Sequence, residues 1–203
     1  MSRRTRGIIT LLCLLAAGTI TSLDHSCISP GRNHTPAGKP GIDDFSRFHK
    51  KSFTVVKVVD GDTIDIDAPG GKNKYTRIRL WGIDTPETKH PETGVMYFGP
   101  EAADFATQSA LGKQGTIYLE EHRTRDKYGR LLAYVKLPDG KVLNELLLTE
   151  GFAYADLRFR HSFYNKYKQL ENIARRHKKG LWKKVRQEQL PEWLQKREPN
   201  LLL

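Results

Sequence analysis

Carboxylates and arginines are concentrated in three short runs of the sequence, at residues 60–63, 79–87 and 126–130. Carboxylate oxygens are ligands that Ca²⁺ and Mg²⁺ prefer, and a bound divalent cation can polarise a phosphoryl oxygen. Arginine forms paired hydrogen bonds to phosphate through its planar guanidinium group. Metal-assisted attack on a phosphodiester needs oxygen ligands for the metal, a further carboxylate and phosphate-binding cations. The runs contain candidates for all of these, among them the carboxylates Asp62, Asp84 and Glu87 and the arginines Arg79 and Arg130.

The two aspartates and the two arginines also have ordinary structural explanations. Asp62 lies in a glycine-containing turn, and the role of Asp84 could be limited to stabilising the turn at Pro86. The two arginines could form surface ion pairs. An EF-hand loop that begins at Asp60 is excluded, because Asp65 stands where that loop requires glycine. The catalytic interpretation therefore depends on the whole set occurring together.

The positive charge of the chain is concentrated near its C-terminal end. The net charge is +11, and residues 158–186 contain eleven Lys or Arg against a single acid, Glu171. Such a run is either a solvated helix face or a binding surface for a phosphate polymer. Aromatic residues interleaved with the cations favour the second interpretation: Phe159, Phe163, Tyr164 and Tyr167.

The N-terminal residues are typical of a targeting segment. Arginines precede an apolar run at residues 8–20 that is short for a membrane span, so residues 1–27 are predicted to be a signal peptide or an uncleaved signal anchor. The expected location is therefore outside the cytoplasm, secreted or periplasmic, with membrane contact only if the leader is retained. Proline and glycine predict a flexible linker at residues 28–50. A monomer with no stable protein partner is expected.

The rest of the chain predicts a barrel of strands with helices packed on it. Five segments are rich in β-branched residues or alternate with period two, and three have helical spacing and end at glycine or close to it. The predicted strands are residues 53–59, 63–67, 75–81, 116–119 and 131–135, and the predicted helices begin at Pro100, at about Val142 and at about Ser162. This pattern predicts a mainly β, α+β fold, with a five-stranded Greek-key barrel of OB type and three helices.

The three runs, in this order and spacing, resemble those of the staphylococcal nuclease (thermonuclease) family. They read Val59–Thr63, Ile83–Pro91 and Asp126–Tyr134, and the likeness extends over about residues 53–182. The resemblance implies an OB-fold nuclease domain at residues 51–186. It also implies calcium-dependent cleavage of DNA and RNA to products with 3′-phosphates. Residues 187–203 lie beyond it, and no chemistry is assigned to this tail.

The resemblance assigns the metal ligands and the catalytic residues. Asp62 and Asp84 match the family's calcium ligands, with the backbone carbonyl of Thr85 as a further oxygen donor. Glu87 matches the residue that activates or orients the attacking water. The phosphate-binding arginines are matched by Arg79 and Arg130, and replacing Arg79 with Lys is expected to reduce activity more than stability.

The predicted substrate-binding residues depart in part from the family pattern. The positions expected to contact the nucleotide are Lys127, Tyr128, Tyr154, Arg158 and Phe159. Phe159 and Leu157 stand where the family has tyrosines, so one aromatic ring remains and both hydroxyls are lost. Stacking tolerates any base, so weak sequence preference and a bias toward single strands are expected.

Two other functions remain open from the sequence. A nucleic-acid-binding OB module without catalysis would need the same surface, although such modules typically lack some of the acidic or arginine positions that are all present here. A membrane-tethered protein whose barrel contacts other proteins is a further alternative.

Overall fold

The computed structural model describes residues 42–71, 73–89 and 94–202, except for the side chains of residues 42 and 43. The predicted leader and most of the predicted linker lie outside these residues. Five strands form a closed barrel: β1 (Lys51–Asp60), β2 (Thr63–Ile66), β3 (Thr76–Leu80), β5 (Gln114–Tyr118) and β6 (Leu131–Lys136). Two shorter strands, β4 (Ile83–Asp84) and β7 (Tyr154–Ala155), pair with each other.

The barrel is closed in the order β1-β2-β3-β6-β5. All neighbours are antiparallel except β3 and β6, which are parallel and pair Ile78 with Leu131. Two register shifts in β1 mark irregular pairing with β2, which bends a long strand around a small barrel. The prediction of a five-stranded OB-type barrel in an α+β fold is confirmed.

The three predicted helices are present as α2 (Gly99–Ala110), α3 (Leu143–Thr149) and α4 (Tyr164–Arg176). The predicted number was too low, because the described residues include two further helices, α1 (Ile42–Phe48) and α5 (Glu192–Arg197). Helices this short are marginal in isolation and depend on packing for stability. Phe48 is fully buried and Leu194 nearly so, so burial holds both helices. The segment predicted as a linker thus ends in a packed helix.

Two apolar clusters stabilise the fold. The larger fills the barrel and its junction with α3, with Ile64, Ile78, Leu80, Ile117 and Leu131 among its fully buried members. The smaller joins α4 and β7 to the C-terminal tail through Tyr154, Trp182, Leu190 and Leu194. Within the described residues, no helix is long and apolar enough to span a membrane. The second cluster places the tail against the end of the barrel that carries β4.

Candidate active site

The site lies at one end of the barrel, where the β1–β2 turn approaches the connection between β3 and β4. Thr63 pairs with Arg79 across β2 and β3, which places Asp62 beside the end of β3. Gly82 turns the chain into β4 with φ of +79°, and an added Cβ would lie 2.4 Å from Cε1 of His161. Only glycine fits this turn without strain, and the turn brings Asp84 back toward Arg79.

Arg79 joins the two predicted metal ligands directly. Its Nη1 lies 2.8 Å from Oδ2 of Asp62 and its Nη2 lies 2.6 Å from Oδ1 of Asp84. The guanidinium also donates to the carbonyls of Leu80 and Ile83, at 3.2 and 2.8 Å. All three charged side chains are largely buried. Thr85 is adjacent, because its backbone N–H donates to Oδ2 of Asp62 at 2.9 Å.

Burial makes the two carboxyl groups harder to ionise. Mainly through burial, the pKa of Asp62 and that of Asp84 are raised to about 6. The charge of Asp60 contributes to the shift at Asp62, and the charge of Asp62 contributes to the shift at Asp84. The positive charge of Arg79 opposes both shifts. Burial lowers the pKa of Arg79, but the facing carboxylates outweigh this and raise it above its ordinary value. A second cation at this position would relieve the repulsion between the two carboxylates.

The donor set fits a hard divalent cation. A carboxylate has about four acceptor positions. Among the described residues, Oδ1 of each aspartate accepts from one donor, which is Thr63 for Asp62 and Arg79 for Asp84. Oδ2 of each aspartate has two neighbouring donors, from Thr85 and Arg79 at Asp62 and from Trp193 and Arg158 at Asp84. Each Oδ1 therefore keeps acceptor capacity. No cluster of three or more His, Cys, Asp or Glu ligands occurs in the described part of the chain, so carbonyl and solvent oxygens would have to complete the shell.

Glu87 follows this segment at the start of the connection to α2. It is half-buried, and its carbonyl accepts the N–H of Met96 at 2.9 Å. A Cβ added at Gly99 would lie 2.6 Å from that carbonyl oxygen. The first residue of α2 thus packs directly on the backbone of Glu87. Its role as a base or as a water-orienting residue stays a prediction.

Arg130 is held by the turn in which it lies. Oδ1 of Asp126 accepts the backbone N–H groups of Tyr128 and Arg130, at 2.9 and 3.0 Å, and its Oδ2 accepts Nε of Arg130 at 2.7 Å. A cavity of about 480 Å³, the inner cavity, is lined by Arg79 and Arg130 together with Lys127, Tyr128, Arg158 and Phe159. The structure thus brings both predicted phosphate-binding arginines and four of the five predicted substrate-binding residues to one cavity.

Comparisons with known proteins show the family to which the chain belongs. The model of the family described as Staphylococcal nuclease homologue matches residues 77–184. The thermonuclease of Staphylococcus hyicus is 38% identical over 139 residues, which cover 68% of this chain and 79% of the relative. This chain belongs to the staphylococcal nuclease family. The thermonuclease of Staphylococcus intermedius is 44% identical over 105 residues, 52% of this chain and 60% of the relative. Endonuclease YncB of Bacillus subtilis (strain 168) is 36% identical over 137 residues, which cover 66% of this chain and 62% of the relative.

Tyr154 does not line the inner cavity of this staphylococcal nuclease homologue. Its side chain is fully buried and packs edge-on against Trp182 at 5.6 Å between ring centroids. Its backbone pairs with Asp84 between β7 and β4. The prediction that Tyr154 contacts substrate is therefore not supported by its position, because its ring packs within the second apolar cluster. The residue instead helps to hold the strand that carries Asp84.

Two residues that the sequence predictions omitted, Trp81 and Arg123, also line the inner cavity, where they form a wall together with Phe159. The rings of Trp81 and Phe159 stack at 5.9 Å with an angle of 28° between their planes. The guanidinium of Arg123 lies 5.3 Å from the Trp81 ring and 5.2 Å from the Phe159 ring. The alternation of β3, which places Trp81 on the same face as Arg79, was a usable signal for Trp81. No local pattern marked Arg123.

The tail also reaches the site, outside the segment matched by the family model. Nε1 of Trp193 donates to Oδ2 of Asp84 at 2.8 Å. Arg158 lies over the Trp193 ring at 4.5 Å and places Nη2 3.3 Å from the same oxygen. Asp156 fixes Arg158 in turn through bonds of 2.8 and 2.9 Å. Arg158, predicted to bind substrate, thus borders both the inner cavity and the predicted metal ligand.

Proposed function

We propose that this nuclease hydrolyses phosphodiester bonds of both DNA and RNA, depends on calcium and leaves 3′-phosphate ends. The main support is the double role of Arg79, which contacts two buried carboxylates on one side and lines the inner cavity on the other. Phosphate held in that cavity would lie beside the predicted metal ligands. Asp62, Asp84 and the carbonyl of Thr85 would hold the ion, which supplies Lewis-acid polarisation of a phosphoryl oxygen when bound.

The protein's own groups account for the remaining requirements of the reaction. Arg79 and Arg130 donate hydrogen bonds to non-bridging phosphate oxygens, and these bonds strengthen as charge develops in the transition state. Water bonds to phosphorus as the bond to the 5′ oxygen breaks. Glu87 accepts or orients the water proton, and the departing oxygen gains a proton to become a 5′ hydroxyl. Phe159 and Trp81 offer a stacking wall for a base.

The test uses the purified protein, single-stranded DNA and millimolar calcium, the range of weak calcium sites. We expect cleavage by the wild type and loss of cleavage on chelation. The products should carry a 3′-phosphate that a phosphatase removes, with the loss of about two negative charges. Glu87→Gln should lower the rate by about 10²–10⁴ while DNA affinity is kept. Glu101→Gln, an exposed carboxylate in the first turn of α2, is the matched control.

A non-catalytic nucleic-acid-binding module is the alternative. It would show no cleavage at any calcium concentration, and Glu87→Gln would bind DNA as the wild type does. The absence of cleavage by wild-type protein at millimolar calcium would refute the proposed function.

We also propose that the protein acts outside the cytoplasm, as the N-terminal sequence indicates. Mass spectrometry of the mature protein from the exporting cell checks this. We expect the exported protein to lack residues 1–27 or a segment that ends within a few residues of position 27. Protein with an intact N-terminus in the soluble cytoplasmic fraction would contradict the proposal.

A further inference from the structure

A second cavity, which we call the outer groove, adjoins the inner cavity on the barrel surface. It has a volume of about 500 Å³ and lies along the β2–β3 hairpin and the turn before β6. Tyr128 and Arg130 line both the outer groove and the inner cavity. A chain that occupies the inner cavity can therefore continue into the outer groove past these two side chains.

The walls of the outer groove are cationic. They include Lys74, Arg77, Arg125 and Arg130, against one carboxylate, Asp65. The arginines are oriented by ion pairs: Arg77 binds Asp65 at 2.8 and 3.0 Å, yet its side chain is still 48% exposed. Such a guanidinium keeps donors that point to solvent. Lys74 is exposed, and in the described residues no carboxylate lies within ion-pair distance of it.

Two exposed tyrosines line the same groove. Tyr128 is 71% exposed and Tyr75 is 38% exposed. A cation lies near each ring, Lys127 at 4.9 Å from the Tyr128 centroid and Lys74 at 5.2 Å from the Tyr75 centroid. Aromatic rings beside cations at this spacing are the usual platform for a single-stranded nucleic acid, because every base can stack and every phosphate needs a positive partner.

We propose that the outer groove binds the nucleotides of a single strand that continue from the scissile phosphate, with Tyr75 as a stacking ring and Lys74 as a phosphate partner. This inference rests on the proposed function. An acidic peptide would satisfy the cations alone, but it would not use two rings in line with a phosphate-binding cavity. Continuity through Tyr128 and Arg130 favours the nucleic acid.

The experiment compares a thymidine dinucleotide with a twelve-residue oligothymidylate as substrates for the full protein. We expect Lys74→Ala combined with Tyr75→Ala to raise the KM for the long substrate at least about fivefold. The kinetics on the dinucleotide should not change, because it fills the inner cavity alone. Tyr75→Phe should behave as the wild type, since the ring remains. Lys141→Ala, an exposed lysine outside both cavities, is the matched control.

Salt dependence separates charge from stacking. Loss of Lys74 alone should reduce the slope of log affinity against log salt concentration for the long oligonucleotide by about 0.7, the value for one phosphate contact on a single strand. Loss of Tyr75 alone should lower the affinity without changing this slope. Affinity is measured by fluorescence anisotropy in calcium with Glu87→Gln as background, so that the strand stays intact.

Three outcomes would overturn the inference. The first is an unchanged KM for the long substrate in the double variant, and the second is an equal loss on both substrates. The third is that a poly-glutamate peptide displaces the labelled oligonucleotide from the protein as effectively as unlabelled DNA does. Failure of the proposed function is a different result, because wild-type protein would then cleave neither substrate.

Discussion

The indole Nε1 of Trp193 donates a hydrogen bond of 2.8 Å to Oδ2 of Asp84, so the C-terminal tail contacts a predicted calcium ligand. The two residues are 109 positions apart in the chain. Leu190 and Leu194 anchor the tail in the second apolar cluster, which holds the indole in place. Hydrogen bonds to a ligating carboxylate orient it and commonly affect metal affinity. The tail, to which the sequence assigned no chemistry, thus positions part of the site.

Removal of this single hydrogen bond should weaken calcium binding. Trp193→Phe keeps an aromatic ring under Arg158 but lacks the N–H group, so we expect calcium affinity to fall about 10–100-fold. Isothermal titration calorimetry on the full protein measures this independently of turnover. Trp182→Phe is a matched control, since Nε1 of Trp182 has no hydrogen-bond partner among the described residues. Equal affinity in both variants would show that Trp193 only packs.

The two arginines of the inner cavity should respond differently to replacement by lysine. Arg130→Lys is expected to lower kcat by about 10²–10³ with little change in thermal stability, because Arg130 is partly exposed and its main ion pair is local. Arg79→Lys should lower both, since buried Arg79 also bonds two backbone carbonyls and two carboxylates. The sequence-based prediction that Arg79→Lys reduces activity more than stability stays a prediction, and the buried contacts of Arg79 add the expectation of a measurable loss of stability.

The measurements are single-turnover rates and thermal unfolding of both variants. Arg186→Lys, at a largely exposed arginine just before the tail, serves as the control. Unchanged unfolding of Arg79→Lys, or normal turnover of Arg130→Lys, would contradict the roles assigned here.

Calcium binding should depend on pH in the mildly acidic range. The ion binds ionised carboxylates, and the pKa values of Asp62 and Asp84 are raised to about 6. We therefore expect calcium affinity to fall as the pH drops below about 6, as protons compete for both groups. Calcium titrations at pH 5 and at pH 7 test this, with proton release at the lower pH as an independent sign. Equal affinity at both values would exclude protonation of the pair.

Glu171 should make the stability of the protein depend on pH without any metal. Mainly through burial, its pKa is raised to about 8; Arg175 opposes the shift, and Glu198 adds to it. The folded state therefore holds a proton that the unfolded state has released, so the free energy of unfolding contributed by this group decreases as the pH rises from about 4.5 to 8. Glu171→Gln should remove this decrease. Urea unfolding at pH 5.5 and 8 with calcium chelated checks the result, and Glu188→Gln, at a largely exposed carboxylate, is the control.

The sequence predicted the barrel because its strands carry local signals. Alternation and β-branched residues located β2 and β3 to within a residue or two, and glycines marked the ends of α2 and α3. Strands β4 and β7 have two residues each, too few to show any period. Short helices such as α1 and α5 escaped prediction for a related reason, since buried tertiary contacts stabilise them rather than intrinsic propensity.

The amino-acid sequence by itself determined the chemical inventory, the strand and helix segments and the family, because each follows from residue types at short, fixed spacings. The tertiary structure alone decided that Arg79 joins Asp62 to Asp84 and that Tyr154 faces the apolar interior. It likewise brought Arg123 beside Phe159 and Trp193 onto Asp84. These contacts join residues far apart in the chain, and their formation depends on how the elements pack, which no local spacing specifies.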